Sequence, residues 1–218
     1  RGGGPSNLVG HEITGFQAGH LNAFGSDVPL PDYPGLAGDL AEVVAAVHSY
    51  GGLVALNHIF GVGQLMEDDD GRAELVAETE ESLLANAAYG CDLLEVGYRE
   101  RGGRVDDFLQ VWDRLAFAGH VLTGIGTSDL HHRGGWGSRP NNFVTWVAAG
   151  SADEEDMLWG LQRGAAWFGD PTLFPDGEVN VTLDAPEHRA TMGQILVGLA
   201  GPVGLSFSAD WLDEGWRV

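Results

Sequence analysis

Apolar positions along this chain fall alternately into short unbroken runs and into stripes with helical spacing, a pattern that predicts strands and helices in turn. The run "NLVGHEITG" (7–15) reads as a short strand that ends in charged residues, and a Pro-rich loop follows it. In "GDLAEVVAAVHSYGG", Leu40, Val43, Val44 and Val47 lie on one helical face, closed by Gly51 and Gly52. "LVALNH" is then a buried strand, the acidic "EDDDG" a solvated patch in the next loop, and a second helix is predicted from about Arg72 to Tyr89. "CDLLEVG" predicts a strand, "VDDFLQVWDRLAFAG" a helix and "HVLTGIG" a further strand. Strand and helix in strict alternation imply parallel βα units. The unit repeats more loosely in "NNFVTWVAAG", "DEEDMLWGLQRG" and "AAWFGD". After Pro171 the helices cease, and "GEVNVTLDAP", "ATMGQILVGLAG" and "VGLSFSADWL" read as short strands joined by turns. The expected organisation is an α/β body over 1–170 and the start of a β-rich appendage over 171–218.

Composition narrows the function classes. The 218 residues hold 44% hydrophobic residues with 34 Gly and 9 Pro, enough for a sizeable core with many short connections. No apolar run approaches the ~18 residues that cross a bilayer as a helix. Acidic residues number 32 against 11 basic ones, every one an Arg, for a net charge of −21. Such a surface repels phosphate backbones, which excludes broad nucleic-acid binding, while a local metal charge still admits a small phosphorylated ligand. The single Cys91 excludes an internal disulfide framework and a cysteine-based zinc knuckle, and its place in "YGCDLLEVG" suits a small buried thiol. The chain begins at Arg1 on a glycine run, without Met or a signal-peptide pattern, and stops within the β-rich segment. The expectation is a fragment of a longer protein, with the compartment left open between cytoplasmic and secreted.

The residues best able to bind metal are not scattered. Glu12 follows the first strand, His58 ends "LVALNH", and Asp129 with His131 ends "VLTGIGTSD", in a chain with only 8 histidines. The C-terminal ends of parallel barrel strands open onto one face, so these residues are expected to converge there. His20 lies in the glycine-containing stretch "TGFQAGHLNAFG", read as a loop that bends back to the same mouth. Three imidazoles and two carboxylates make a mixed nitrogen and oxygen donor set suited to Zn, Mn or Fe. Taken singly, His58 also fits a core histidine and Asp129 a loop cap; the coincidence of ligand types at separate strand ends favours the site. His132, beside His131, points elsewhere if the segment is extended, and His48, His120 and His188 read as surface or structural residues.

Four stretches in order, "GHEITGFQAGHLNAFG", "GGLVALNH", "DLLEVG" and "TGIGTSDLHH", resemble the PHP family (polymerase and histidinol phosphatase), in particular its CehA/McbA-type branch, from about Leu8 to Phe168. The resemblance implies a distorted (β/α)7 barrel, here N-terminally incomplete, followed by part of a small β-rich domain. It implies two or three divalent metal ions at the C-terminal mouth and hydrolysis of phosphate esters. Carried over by position, Glu12 looks like the carboxylate that bridges two metals, His20 and His58 like further ligands of one, Asp129 like a ligand of the second and His131 of the third. The family opens with a His-x-His strand, whereas "RGGGPSNLVG" contains no His, Asp or Glu.

The implied reaction is metal-assisted hydrolysis of a phosphomonoester or phosphodiester, in which the cations lower the pKa of water toward ~7. His131 or His58 would protonate the leaving oxygen. Arg133, in "HHRGGWGSRP", is either a bidentate phosphate partner or a solvated loop Arg, and Trp136 either walls the pocket or anchors the loop. The alternatives are hydrolysis of a carboxyl or carbamate ester by the same mouth and a noncatalytic scaffold.

Overall fold

The computed structural model of the chain describes residues 8–16, 19–25, 27–28, 39–61, 68–100, 102–131, 141–173, 179–197 and 201–209. Strands β1 (Gly10–Phe16) and β2 (Gly19–Phe24) form an antiparallel hairpin. The segment around His20, expected as a loop, is therefore a strand. Helix α1 (Leu40–Ser49) follows, opened by Asp39, whose side chain accepts from the Ala41 N–H at 2.9 Å. Strand β3 (Leu53–Asn57), helix α2 (Asp69–Ala85), a 3-10 turn (Ala87–Gly90), strand β4 (Leu93–Gly97), helix α3 (Val105–Phe117) and strand β5 (Thr123–Gly126) come next. The acidic cluster expected as a surface patch opens α2. Asp68 accepts from the Gly71 N–H at 2.6 Å, and Asp69 and Asp70 occupy the first turn, where the helix dipole favours negative charge.

Five strands make the main sheet in the order β1-β2-β3-β4-β5. β2 runs antiparallel to both its neighbours, β1 and β3, while β3, β4 and β5 run parallel. Because side chains alternate across a strand, the register sorts residues onto two faces. One face carries Ile13, Leu21, Ala23, Val54, Leu56, Leu94 and Val96. It packs on Val43, Val44 and Val47 of α1, Val76 and Leu83 of α2, and Phe108, Val111 and Leu115 of α3. The other face places Leu53, Ala55, Leu93 and Ile125 together, covered by Leu161. Arg72 of α2 ties the helical layer, donating to Asp107 at 2.9 Å and to the Gly102 carbonyl at 2.7 Å.

Strands β6 (Val144–Val147) and β7 (Ala166–Gly169) flank helix α4 (Glu154–Gln162) and pair antiparallel as a sheet of their own. Trp146 and Trp167 stack across this pair, ring centroids 4.0 Å apart. Strands β8 (Val179–Ala185), β9 (His188–Thr191) and β10 (Gly204–Ala209) form a third, antiparallel sheet in the order β10-β8-β9. Among the described residues no helix is long and apolar enough to cross a membrane.

The expected distorted (β/α)7 barrel is therefore corrected. The described strands lie in three sheets, none of them closed into a barrel. Alternation of strand and helix specifies parallel neighbours but not closure, which requires an unbroken ring of ladder pairing. Here the ladder stops at β5. Thr145 on β6 meets it with a side chain, its Oγ1 accepting from the Gly126 N–H and donating to the Gly126 carbonyl, both at 2.9 Å. The glycines of "TGIG" make room for the rings beside this junction, since a Cβ at Gly124 would sit 2.9 Å from Trp112 and one at Gly126 2.9 Å from Phe168.

Leu94 is fully buried in the helix-covered face. Leu94→Ala is expected to cost about 3 kcal/mol of unfolding free energy in urea titrations, because the cavity cannot fully collapse. Leu205→Ala, at a side chain 67% exposed on β10, is expected to change it by less than about 0.5 kcal/mol.

Candidate metal centre

Glu12 does not follow its strand as expected; it sits within β1, paired with Asn22 of β2. His20 pairs with Asn57 of β3 two positions away, so the hairpin brings Glu12 and His20 to one face. His20 Nδ1 lies 2.5 Å from Glu12 Oε1. His58 is the first residue beyond β3, and its ring stands edge-on to that of His20, centroids 5.4 Å apart. One donor atom from each of Glu12, His20 and His58 lies within 4.8 Å of the others.

Two backbone features hold this arrangement. Gly19 has φ +115°, and a Cβ there would meet the Asn57 carbonyl oxygen at 2.3 Å, so the close approach of β2 to the end of β3 requires glycine. His58 adopts φ +46° and Asp129 φ +48°, in the left-handed region. Among the described residues the other non-glycines there are the consecutive Ala87, Ala88 and Tyr89 behind α2. Such conformations cost of order 1–3 kcal/mol each and persist only where surroundings enforce them.

Asp129 lies in the segment leaving β5. Its Oδ2 is 3.9 Å from His58 Nε2 and accepts from the Tyr98 hydroxyl at 3.2 Å. Its carboxylate is 7% exposed, against 59% for His131, which turns back onto it with Nδ1 3.4 Å from Oδ1 and 3.0 Å from the backbone oxygen. His131 is thus on the rim, outside the three-residue group. His132, Arg133 and Trp136 lie outside the described residues. His48 instead pairs with Asp92 at 2.8 Å, near the start of β4.

Of these residues Glu12, His58, Asp129 and His131 line a cavity of about 450 Å³, together with Asn22 and Asn57 among others. A larger apolar cavity, about 830 Å³, lies by Trp112, Trp167 and Phe207 near the start of β5. The chemistry-bearing side chains are in the smaller one. Asn57 Oδ1 is buried in its wall and accepts no hydrogen bond among the described residues, a cost of roughly 1–3 kcal/mol that a ligand's donor or a cation would relieve.

The donor set fits a divalent metal. Two imidazoles and a carboxylate suit Zn, Mn or Fe, and ligand distances of about 2.0–2.2 Å are within reach of side-chain adjustment from this geometry. Sequence reasoning passed over Asn57, Tyr98 and Glu95. Glu95 is completely buried on β4, with His58 Nδ1 2.6 Å from its Oε2 and the Thr127 hydroxyl donating to Oε1. Its signal was a charged residue at an inward position of the apolar run "DLLEVG".

No family model matches the chain, nor does any curated protein or solved structure. The case for the site thus rests on its own residues.

Gly19→Ala is expected to push β2 from β3, lowering stability by at least about 1 kcal/mol and weakening Zn²⁺ binding together, as read by urea titration and calorimetry. Cys91 is not a nucleophile of this site. Burial, with the neighbouring Asp92 charge second, pushes its thiol far up, so alkylation by iodoacetamide at pH 8 is expected to be slow in the folded protein and fast in urea.

Proposed function

We propose that this chain carries a metal-dependent hydrolytic centre acting on phosphate esters. The observation that carries the reading is the convergence of Glu12, His20 and His58, from β1, β2 and the end of β3, beside a cavity that Glu12, His58 and Asp129 line. The likeness of the same stretches to PHP hydrolases supports the phosphate class. Glu12, His20 and His58 would hold a first divalent cation, and Asp129 would share in a second. Such cations polarise an ester oxygen and bring the pKa of water toward ~7.

The chain's own groups supply the rest. Asp129, fixed by Tyr98 and by its left-handed backbone, presents a carboxylate beside His58. His131, exposed on the rim and outside the group of Glu12, His20 and His58, would hand a proton to the leaving oxygen. Asn57 and Asn22 line the cavity with amide groups suited to orienting a substrate.

One observation favours a second reading, hydrolysis of a carboxyl or carbamate ester. Glu12, Asp129 and Glu95 bring up to three negative charges to the site, so a single cation leaves it negative and unattractive to a phosphate dianion. Two bound cations favour phosphate; one favours a neutral ester.

The test is metal analysis with turnover of p-nitrophenyl phosphate, bis(p-nitrophenyl) phosphate and p-nitrophenyl acetate by the metal-loaded protein. Glu12→Gln and His20→Ala are each expected to lose activity on the order of 10²-fold or more, as is treatment with chelator. Turnover that survives both ends the proposal. Metal binding without turnover of any of the three points to a scaffold.

A further inference from the structure

We propose that the cavity of about 830 Å³ at the start of β5 binds an amphiphilic carboxylate, with its apolar body between β7 and the third sheet and its anionic end on Arg163. The inference is independent of the metal reading, since this cavity and the one at the strand exits share no lining residue among those described. Its size lies in the range of about 300–1,000 Å³ that encloses a drug-sized molecule. Leu122, Trp167 and Phe168 wall it from the α/β body, and Val179, Val181 and Phe207 from the third sheet. Such walls favour an apolar body in proportion to the area removed from water.

The polar end follows from what the walls leave over. Trp112 Nε1 donates to the Leu122 carbonyl at 2.8 Å, the Thr123 hydroxyl donates to the Leu161 carbonyl at 2.7 Å, and the Gln194 side-chain oxygen accepts from the Thr191 N–H at 2.9 Å. These lining groups are already engaged with the chain. Arg163, the C-cap of α4, donates to the Ala148 carbonyl at 3.3 Å, which uses one of the five N–H groups of its guanidinium. Arg72, Arg99, Arg104, Arg114 and Arg189 each pair with a carboxylate, whereas Arg163 pairs with none among the described residues. The chain has 32 acidic residues, yet none is among the described lining of this cavity. A surface of net charge −21 repels anions over most of its extent, so an unpaired cation on the wall of an apolar cavity selects an anion there. A single guanidinium balances one charge and matches a carboxylate with two parallel bonds, which suits a monoanion over a phosphate dianion. The turn after β9 closes on the arginine stem, since a Cβ at Gly193 would meet Arg163 Cγ at 3.1 Å.

The experiment is calorimetric titration of wild type, Arg163→Gln and Val181→Trp with decanoate and with 1-decanol, which shares the body but not the charge. Wild type is expected to bind decanoate, and 1-decanol about 10-fold more weakly. Arg163→Gln, at an exposed side chain, is expected to lose that preference and to keep its affinity for 1-decanol. Val181→Trp, which puts a ring into the cavity, is expected to bind neither; the Arg163→Gln comparison stands even if this variant fails to fold. Wild type that takes up no decanoate overturns the proposal, as does decanoate binding that Arg163→Gln leaves unchanged or that a folded Val181→Trp retains. A dimer in sedimentation that Val181→Trp dissociates, with no decanoate bound, places a second copy on this face and equally overturns it.

Discussion

The site depends on one buried carboxylate. Glu95 sits where solvent cannot reach it, and the donors that compensate it are the backbone N–H of His58 and the hydroxyl of Thr127, with the His58 ring alongside. These groups lie just beyond the ends of β3 and β5. A charge on the middle parallel strand therefore draws the exits of both neighbours toward it, and those exits carry His58 and Asp129. The strained backbone at His58 is held because its N–H compensates this interior charge.

Around that constraint the sheet is divided by function. The face turned to α1, α2 and α3 is apolar across the strands and supplies the main hydrophobic stabilisation. The opposite face is apolar over Phe24, Leu53, Ala55, Leu93 and Ile125, while Glu12, His20, Asn57 and Glu95 lie on the same side. A rigid, well-packed layer thus backs a polar one. Placing candidate ligands on strands and immediate strand exits limits the motion that would blur their geometry.

Much of this was legible in the chain. The stripe Leu40, Val43, Val44, Val47 and the runs around "LVALN", "LLEVG" and "TGIG" place α1 and β3 to β5, because burial imposes a period on local sequence. His58 and Asp129 could be read as strand-exit residues for the same reason. The β1–β2 hairpin could not, since its glycines read equally well as a loop, and Glu12 was consequently placed after a strand instead of within one. Closure into a barrel was extrapolated from alternation, and nothing local announces that Thr145 meets β5 by a side chain. Glu95 was missed because its importance lies in partners distant in sequence.

The β1–β2 hairpin has a consequence for how the site comes into being. Glu12 and His20 stand 8 positions apart on adjacent antiparallel strands, whose ends meet at modest loop-closure entropy. His58 and Asp129 reach them only after longer connections, each carrying a helix, have laid β3, β4 and β5 alongside. The Glu12–His20 pair is thus a local product of folding and the other two groups are late ones, so an incompletely folded chain retains a rudimentary binding nest before it has the side chains that complete it.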